Sequence, residues 1–270
     1  VAPQETWPSV VPGTRFADVR HLPEVGSTND LVLAAARQGA PEGLVVAADH
    51  QTAGRGRLGR RWEAPPGANL LVSVLLRPAL AWEELHWATA VVAMAAADAA
   101  RQVAGVELVG KWPNDLLSPT GEKVAGVLAE AVGDPGASGP QAVVVGLGLN
   151  VAWPGPEDRL PAELAGRVSS LARLGGPVPS RPVLLQALLE HLEEHLVRLA
   201  GPGGPEAIRA GYLRWCATIG QRVRVQLGQG TLEGRAETVE SSGALVVLTA
   251  EGHREVVAAG DVQHLRPQGA

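Results

Sequence analysis

The spacing of apolar residues changes character several times along the first hundred positions. Ser27-Thr28-Asn29-Asp30 precedes Leu31-Val32-Leu33-Ala34-Ala35-Ala36. Ser27 with Asp30 three positions on has capping-box spacing, which predicts a helix over about 29–38, ended by Gly39-Ala40-Pro41. The run Leu44-Val45-Val46-Ala47-Ala48 predicts a buried strand. Residues 69–76 predict another, stopped by Pro78. Residues 82–103 are Ala-rich, with Glu83 and Glu84 in the first turn and Arg101 in the last, a helix that suits its own macrodipole. Strands are predicted near 106–111, 123–131 and 141–147, the last two separated by the loop Gly133-Asp134-Pro135-Gly136-Ala137-Ser138-Gly139-Pro140. Apolar residues at 185, 188, 189, 192, 196 and 199 mark an amphipathic helix over 183–199, and a second helical stretch covers about 205–216.

After Ile219-Gly220 the period shortens. Val223, Val225 and Leu227 alternate with Arg222, Arg224 and Gln226, and short β-like runs follow at 231–239, 244–249, 253–258 and 262–265. Five short strands in about 50 residues describe a small β-barrel or sandwich joined to a larger α/β part. The pattern therefore divides the chain into a loose Pro-containing lead-in over 1–14, a large domain over 15–217 and a small β-domain over 218–270.

Composition narrows the class. With 46% hydrophobic residues in 270, the chain can build a sizeable core. A net charge of −5 excludes a general nucleic-acid surface, so any basic site must be local. The single cysteine, Cys216, excludes an internal disulfide and offers no metal-site spacing; it reads as a small buried residue. No run of 18 apolar residues occurs, and the N-terminal residues lack the basic and apolar regions of a signal peptide. A cytoplasmic protein without membrane partners is the expectation. About 26 residues precede Ser27, too few for a helix-turn-helix domain, so DNA is not an expected partner.

The cations are unevenly chosen. Only Lys111 and Lys123 are lysine, twelve positions apart, and the remaining 21 are arginine. A lysine is a compact point charge where arginine is a planar fork, so two lysines suggest two places where a point charge fits a small anion. Chance in an Arg-rich chain explains them equally well until their surroundings are read. Lys111 opens Lys111-Trp112-Pro113-Asn114-Asp115 at the end of a predicted strand. Pro113 cannot continue the ladder, so Lys111, Asn114 and Asp115 stand at a corner, suited to phosphate and to a metal or an amine. An Asn-Asp turn with a surface ion pair accounts for the same residues. Lys123 lies with Gly126 in an apolar strand, where a charge must find a partner or the sheet's edge.

Gly54-Arg55-Gly56-Arg57-Leu58-Gly59-Arg60-Arg61-Trp62 is a cationic, glycine-rich loop between strands. Glycines let the backbone approach a ligand and arginines offer paired donors to phosphate or carboxylate. It lacks the Gly-Lys-Ser/Thr ending of a P-loop. A solvated turn or an RNA-contacting segment would look similar. Gly146-Leu147-Gly148-Leu149-Asn150 lacks the third glycine and the helix of a dinucleotide fingerprint; its glycines suit a strand passing close under a flat ligand.

Taken in order, Ser27-Thr28-Asn29, Gln51-Thr52-Ala53 with the Arg/Gly loop, Lys111-Trp112-Pro113-Asn114-Asp115, Lys123-Val124-Ala125-Gly126 and Gly146-Leu147-Gly148-Leu149-Asn150 resemble the motifs of biotin–protein ligases, in that family's order and spacing. The resemblance spans about residues 20–266 and is to the monofunctional group without a DNA-binding domain. It implies an α+β fold: a mixed β-sheet catalytic domain flanked by helices, with a small C-terminal SH3-like β-barrel. It implies ATP-dependent conversion of biotin to biotinyl-5′-AMP and transfer of biotin to one lysine of a biotin carboxyl carrier domain of an acyl-CoA or pyruvate carboxylase, by a monomer or homodimer. Mg²⁺ would accompany ATP, near Asp115.

By the same resemblance, Arg55, Arg57, Lys111, Asp115 and Lys123 carry the chemistry. Arg55 and Arg57 close the loop over biotin and the phosphate, Lys123 holds the biotin carboxylate and then the acyl-phosphate, and Lys111 contacts phosphates. Asp115 orients or deprotonates the incoming amine, or binds Mg²⁺. Ser27, Thr28, Asn29 and Gln51 meet biotin's polar ring, with Gly54, Gly126, Gly146 and Gly148 allowing close approach; Asn29 serves the helix cap equally well. Arg60, Trp62, Asn114 and Asn150 join the adenylate site. A lipoate–protein ligase shares the fold and adenylation chemistry but lacks this pairing of motifs. An RNA-binding module would want a broad basic face and stacking aromatics, and the chain has one Phe and one Tyr.

Overall fold

The computed structural model describes residues 5–265 except Gln229 and Ala259. The chain runs β1 (Asp18–Val25), α1 (Thr28–Arg37), β2 (Leu44–Gln51), β3 (Leu70–Leu76), α2 (His86–Ala104), β4 (Val109–Lys111), β5 (Asp115–Leu117), β6 (Lys123–Val132), β7 (Ala142–Leu149), α3 (Arg181–Ala200) and α4 (Gly204–Trp215). Five short strands follow: β8 (Arg222–Gln226), β9 (Thr231–Val239), β10 (Leu245–Leu248), β11 (Arg254–Val257) and β12 (Asp261–His264).

The first sheet has the order β1-β2-β3-β7-β6-β5-β4. It is mixed, because β1 and β2 are parallel while the other neighbours are antiparallel. The period-2 alternation of its strands sorts side chains between two cores. Val45, Ala47, Val72, Val74, Val143, Val145 and Leu147 face the layer of α2, α3 and α4. Leu44, Val46, Leu75, Ala142 and Val144 face α1, where Val32, Leu33 and Ala36 cover them. Further along β7 the same face carries Gly146 and Gly148, and the same face of β3 carries Ser73. α1 covers the apolar end of this face and leaves the glycine end open. That open end is the floor of the site.

α2 is rich in alanine and valine, which lets it press against both the sheet and α3. It ends at Gly105, whose φ of 66° is the left-handed C-cap that favours glycine. The helix expected over 82–103 begins later: residues 82–84 form a 3₁₀ turn, because the Glu84 carboxylate takes the Ala81 N–H at 3.0 Å.

Three expectations are revised. β1 has no counterpart in the sequence reading, since Arg20, His21, Pro23 and Glu24 break its apolar pattern; as an edge strand it tolerates them. The residues expected as a loose lead-in are packed from residue 5 onward, and 1–4 lie outside the described residues. Val11 is fully buried, Glu5 binds Arg181 at 2.6 Å, and Trp7 stacks on His21 at 4.3 Å. The small β-domain is an antiparallel sheet of order β11-β10-β9-β8-β12 rather than a closed barrel; among the described residues its edges β11 and β12 do not pair, each being only four residues long. Its inner residues Val223, Val225, Ala236, Leu245 and Val247 are continuous with the core of the larger sheet. Trp87 and Trp112 donate their indole N–H groups to the carbonyls of Ser241 (2.6 Å) and Gly243 (2.9 Å), tying the two sheets together.

Candidate active site

A cleft of about 500 Å³ opens on the glycine end of the large sheet. Its floor is the cross-strand pair Gly126–Gly148, and the indole of Trp62 lies across both glycines. A Cβ at Gly148 would overlap that ring. Of Gly146 and Gly148, expected to pass under a flat ligand, Gly148 does lie under a flat group, but that group is the protein's own Trp62. Gly146 uses its bareness differently: a Cβ there would overlap Asn29 Oδ1.

One end of the cleft is neutral and buried. Ser27 caps α1 by accepting the Asp30 N–H at 3.5 Å. Gln51 Oε1 accepts the Thr28 N–H (2.8 Å) and lies 3.1 Å from Thr28 Oγ1. Thr28 Oγ1 meets Ser73 Oγ at 2.7 Å, and Ser73 donates to Asn29 Oδ1 at 2.6 Å. Asn29 Nδ2 reaches Glu130 at 2.8 Å and the Leu128 carbonyl at 3.3 Å. Asn29 therefore cross-links α1 to β3 and β6 as well as lining the cleft.

The other end is charged. Lys123 Nζ sits 2.6 Å from Asp115 Oδ1 and 5.5 Å from the centre of a Trp62 ring, so the strand lysine has found its partner. Asn114 Nδ2 donates to the Val127 carbonyl (2.7 Å), leaving its Oδ1 for Arg57 at 3.2 Å. Burial pulls the Arg57 guanidinium below its ordinary pKa; Asp115 and Asp261 offset this in part, and Arg60 adds to it.

The Arg/Gly loop forms the rim as a small hairpin. Gly56 N–H bonds the Arg60 carbonyl (2.7 Å) and Trp62 N–H bonds the Gly54 carbonyl (3.0 Å). A Cβ at Gly54 would overlap the Trp62 carbonyl, so this glycine closes the neck of the hairpin and does not line the main cleft. At its tip Leu58 holds φ 56°, in the left-handed region, with its side chain 73% exposed. Every loop arginine has an acceptor. Arg55 bridges Asp30 (2.5 Å) and Glu130 (2.8 Å), Arg60 binds Asp261 of β12 (2.5 Å), and Arg61 lies 3.5 Å from Glu63.

The structure thus brings together Ser27, Thr28, Asn29, Gln51, Arg55, Arg57, Arg60, Trp62, Asn114, Asp115, Lys123, Gly126, Gly146, Gly148 and Asn150 around one cleft. Lys111 is not among the lining residues. It stands opposite Asp115 in the β4–β5 pair, and its charge helps hold His264 of the small sheet below the ordinary histidine value, after burial. Ser73, Glu130, Asp30 and Asp261 were not foreseen. Ser73 alone had a signal, being the one polar residue inside the apolar run 70–76. Among the described residues, no group of three His, Cys, Asp or Glu side chains is placed to hold a metal ion, and no helix is long and apolar enough to cross a membrane.

Residues 23–150, which carry the cationic hairpin and the glycine floor, match the Biotin/lipoate A/B protein ligase family, a class of ligases. Residues 218–265 match the Biotin protein ligase C terminal domain. The chain is 39% identical to the biotin–acetyl-CoA-carboxylase ligase of Mycobacterium tuberculosis, across 94% of this chain and 91% of that protein. It is 31% identical to the bifunctional ligase/repressor BirA of Bacillus subtilis, over 87% of this chain and 70% of that one. Among solved structures, the biotin protein ligase of Aquifex aeolicus in complex with biotin and ATP superposes with a TM-score of 0.75 at 27% identity, covering 93% of this chain and all of that one. This chain belongs to the biotin protein ligase family.

Proposed function

We infer that this protein joins biotin to a carboxylase carrier lysine in two steps through biotinyl-5′-AMP. The observation that carries the reading is the polarity of this cleft: neutral hydrogen-bonding groups at one end, Lys123 and Arg57 at the other, and a floor without side chains between them. Biotin has a matching polarity, with a neutral ureido ring, an apolar middle and an anionic carboxylate.

In the first step a biotin carboxylate oxygen attacks the α-phosphorus of ATP and pyrophosphate leaves. Two anions must approach each other, so fixed positive charge aimed at the reacting oxygens is the main requirement. Lys123 faces the carboxylate and Arg57 the phosphate. Each now holds its own acceptor, Asp115 and Asn114, so substrate binding exchanges partners instead of creating naked charge. Mg²⁺ bound with ATP would add positive charge to the polyphosphate. Such an ion keeps several waters and needs only one or two carboxylates, which suits Asp115 as the carboxylate beside Asn114.

In the second step a neutral lysine amine of the carrier attacks the acyl carbon, the bond to AMP breaks, and the amine loses its proton. Once Lys123 turns to the adenylate, Asp115 is free to accept from that amine. The carrier belongs to a carboxylase, and we extend this to acyl-CoA or pyruvate carboxylases. A cytoplasmic setting fits a chain whose one cysteine is buried and unpaired. The division at about residue 218, between the biotin/ATP domain and the small sheet, is part of the same reading.

Incubation with biotin, ATP and Mg²⁺ should leave biotinyl-AMP on the protein, detectable by native mass spectrometry. Lipoate in place of biotin should give much less. Starting from preformed biotinyl-AMP, Asp115→Ala should transfer biotin to a carrier domain roughly 10²-fold more slowly than wild type. Normal transfer together with failed adenylate formation would instead assign Asp115 to Mg²⁺.

A further inference from the structure

All the arginines of the small sheet stand on its outer face. Residues opposite one another in neighbouring strands point the same way. The register sets Arg254 opposite Leu248, Leu248 opposite Arg235, and Arg235 opposite Arg222, so three arginines lie in one row across β11, β10, β9 and β8. Farther along β8, on the same face, Arg224 stands opposite Glu233. The other face is the core side, where Val223, Val225 and Ala236 are buried.

Carboxylates do not balance this face. Glu233 binds Arg224 at 2.6 Å and Glu237 binds Arg254 at 2.7 Å. Arg222 and Arg235 are left facing each other. Among the described residues neither has a carboxylate partner, and Arg235 donates only to the Gly220 carbonyl at 3.3 Å. Like charges directly opposite destabilise a sheet. The chain as a whole carries a net charge of −5. A cationic face on an acidic molecule complements an anionic partner and repels other copies of the chain less than the rest of its surface does.

The face also adjoins the cleft. Its edge strand is β12, where Asp261 pairs with Gln226 of β8, lines the cleft and holds Arg60 of the hairpin. From Gln226 back to Arg222 along β8 is ~13 Å at the rise of an extended strand. A protein partner of ordinary footprint, about 800 Å² a side or ~30 Å across, covers both the mouth of the cleft and the arginines.

We propose that the outer face of the small sheet docks an acidic surface of the carrier protein and so steers its lysine to the cleft. This rests on the biotin-transfer reading above. The arginines act on encounter and hold, which salt screens, and leave the chemistry inside the cleft alone.

The test uses the whole protein, preformed biotinyl-AMP and a carboxylase carrier domain of net negative charge, with transfer followed at low and at high salt. Arg235→Glu puts a carboxylate opposite Arg222, a pairing that a sheet favours, so the variant should melt no lower than wild type. Its kcat/KM for the carrier should fall at least ~tenfold at low salt, through KM, and return toward wild type at high salt. Arg222→Gln, which removes one charge and reverses none, should show a smaller loss in the same direction. Biotin-dependent pyrophosphate release should be unchanged in both variants. So should transfer to free lysine amide supplied in excess, which has no surface to dock. A smaller fall for Arg235→Glu at low salt overturns the proposal. A loss that persists at high salt, or extends to lysine amide, also overturns it, because damage to the cleft behaves that way and steering does not. The two readings fail separately: wild type that forms no adenylate and transfers no biotin defeats the ligase function, whereas normal transfer indifferent to Arg235→Glu defeats only the docking face.

Discussion

The neutral and the charged ends of the cleft meet over the same glycine floor but are held in opposite ways. At the neutral end Thr28, Asn29 and Ser73 are each no more than 4% exposed and their hydrogen bonds run from side chain to side chain into the sheet. On the hairpin that rims the charged end, Arg55 and Arg60 are 42% and 65% exposed, and their partners are other ions. Buried neutral networks keep their geometry because every alternative leaves a group unpaired. Exposed ion pairs are individually weak and exchange readily. The first end is shaped before ligand arrives; the second can rearrange around phosphate at low cost.

This contrast can be broken first at Lys123. Removing a cation aimed at developing charge costs about 2.7–4 kcal/mol, or ~10²–10³ in rate. Lys123→Ala should lose adenylate formation on that scale in a pyrophosphate-release assay, and Lys123→Arg should recover only part, since a planar fork needs more room than a point charge. Activity within threefold of wild type would remove Lys123 from the chemistry.

His86 gives a nearly equal effect on stability. It packs beneath Gly243, edge-on to Trp87 and Tyr212, and burial followed by the charge of Arg57 lowers its pKa to about 4. The unfolded chain then binds a proton between about pH 4 and 6.5 that the folded chain does not. Stability is full above pH 6.5 and declines by up to about 3 kcal/mol as pH falls toward 4. Thermal melts should show His86→Phe losing less stability than wild type over that window; parallel curves would mean that His86 does not carry the effect.

Ser73→Ala tests the neutral end. It leaves Thr28 and Asn29 short of a buried partner, at a cost of about 1–3 kcal/mol. The melting temperature should fall and biotin binding should weaken at any salt concentration, as titration calorimetry would show. The smallest effect belongs to the exposed pair Arg60–Asp261. Asp261→Asn should change stability by less than about 1 kcal/mol, and only at low salt. A salt-independent loss as large as that of Ser73→Ala would erase the distinction between the two ends.

Much of this was legible in the sequence because it is local. The apolar runs at 44–48 and 69–76 and the cap at Ser27 carry their reasons in adjacent residues. β1 was not legible, because its place depends on pairing with β2 and its own residues are polar. Lys111 is a related case: its motif shows a corner, but not that the residue stands opposite Asp115 and within reach of His264 on β12. Asp261 and Asn69 bond Arg60 and Asn150, 201 and 81 positions away, and no local pattern reports such distances.

The indole N–H groups of Trp87 and Trp112 end on carbonyls of the 241–243 turn, inside a core shared by both sheets. The small sheet is therefore part of the wall of the larger one, and the two cannot be exchanged as separate modules. A chimera that grafts the last 50 residues from a distant relative would inherit mismatched partners for two buried tryptophans. Recombination that succeeds in this molecule should carry the turn at 241–243 together with α2 and Trp112.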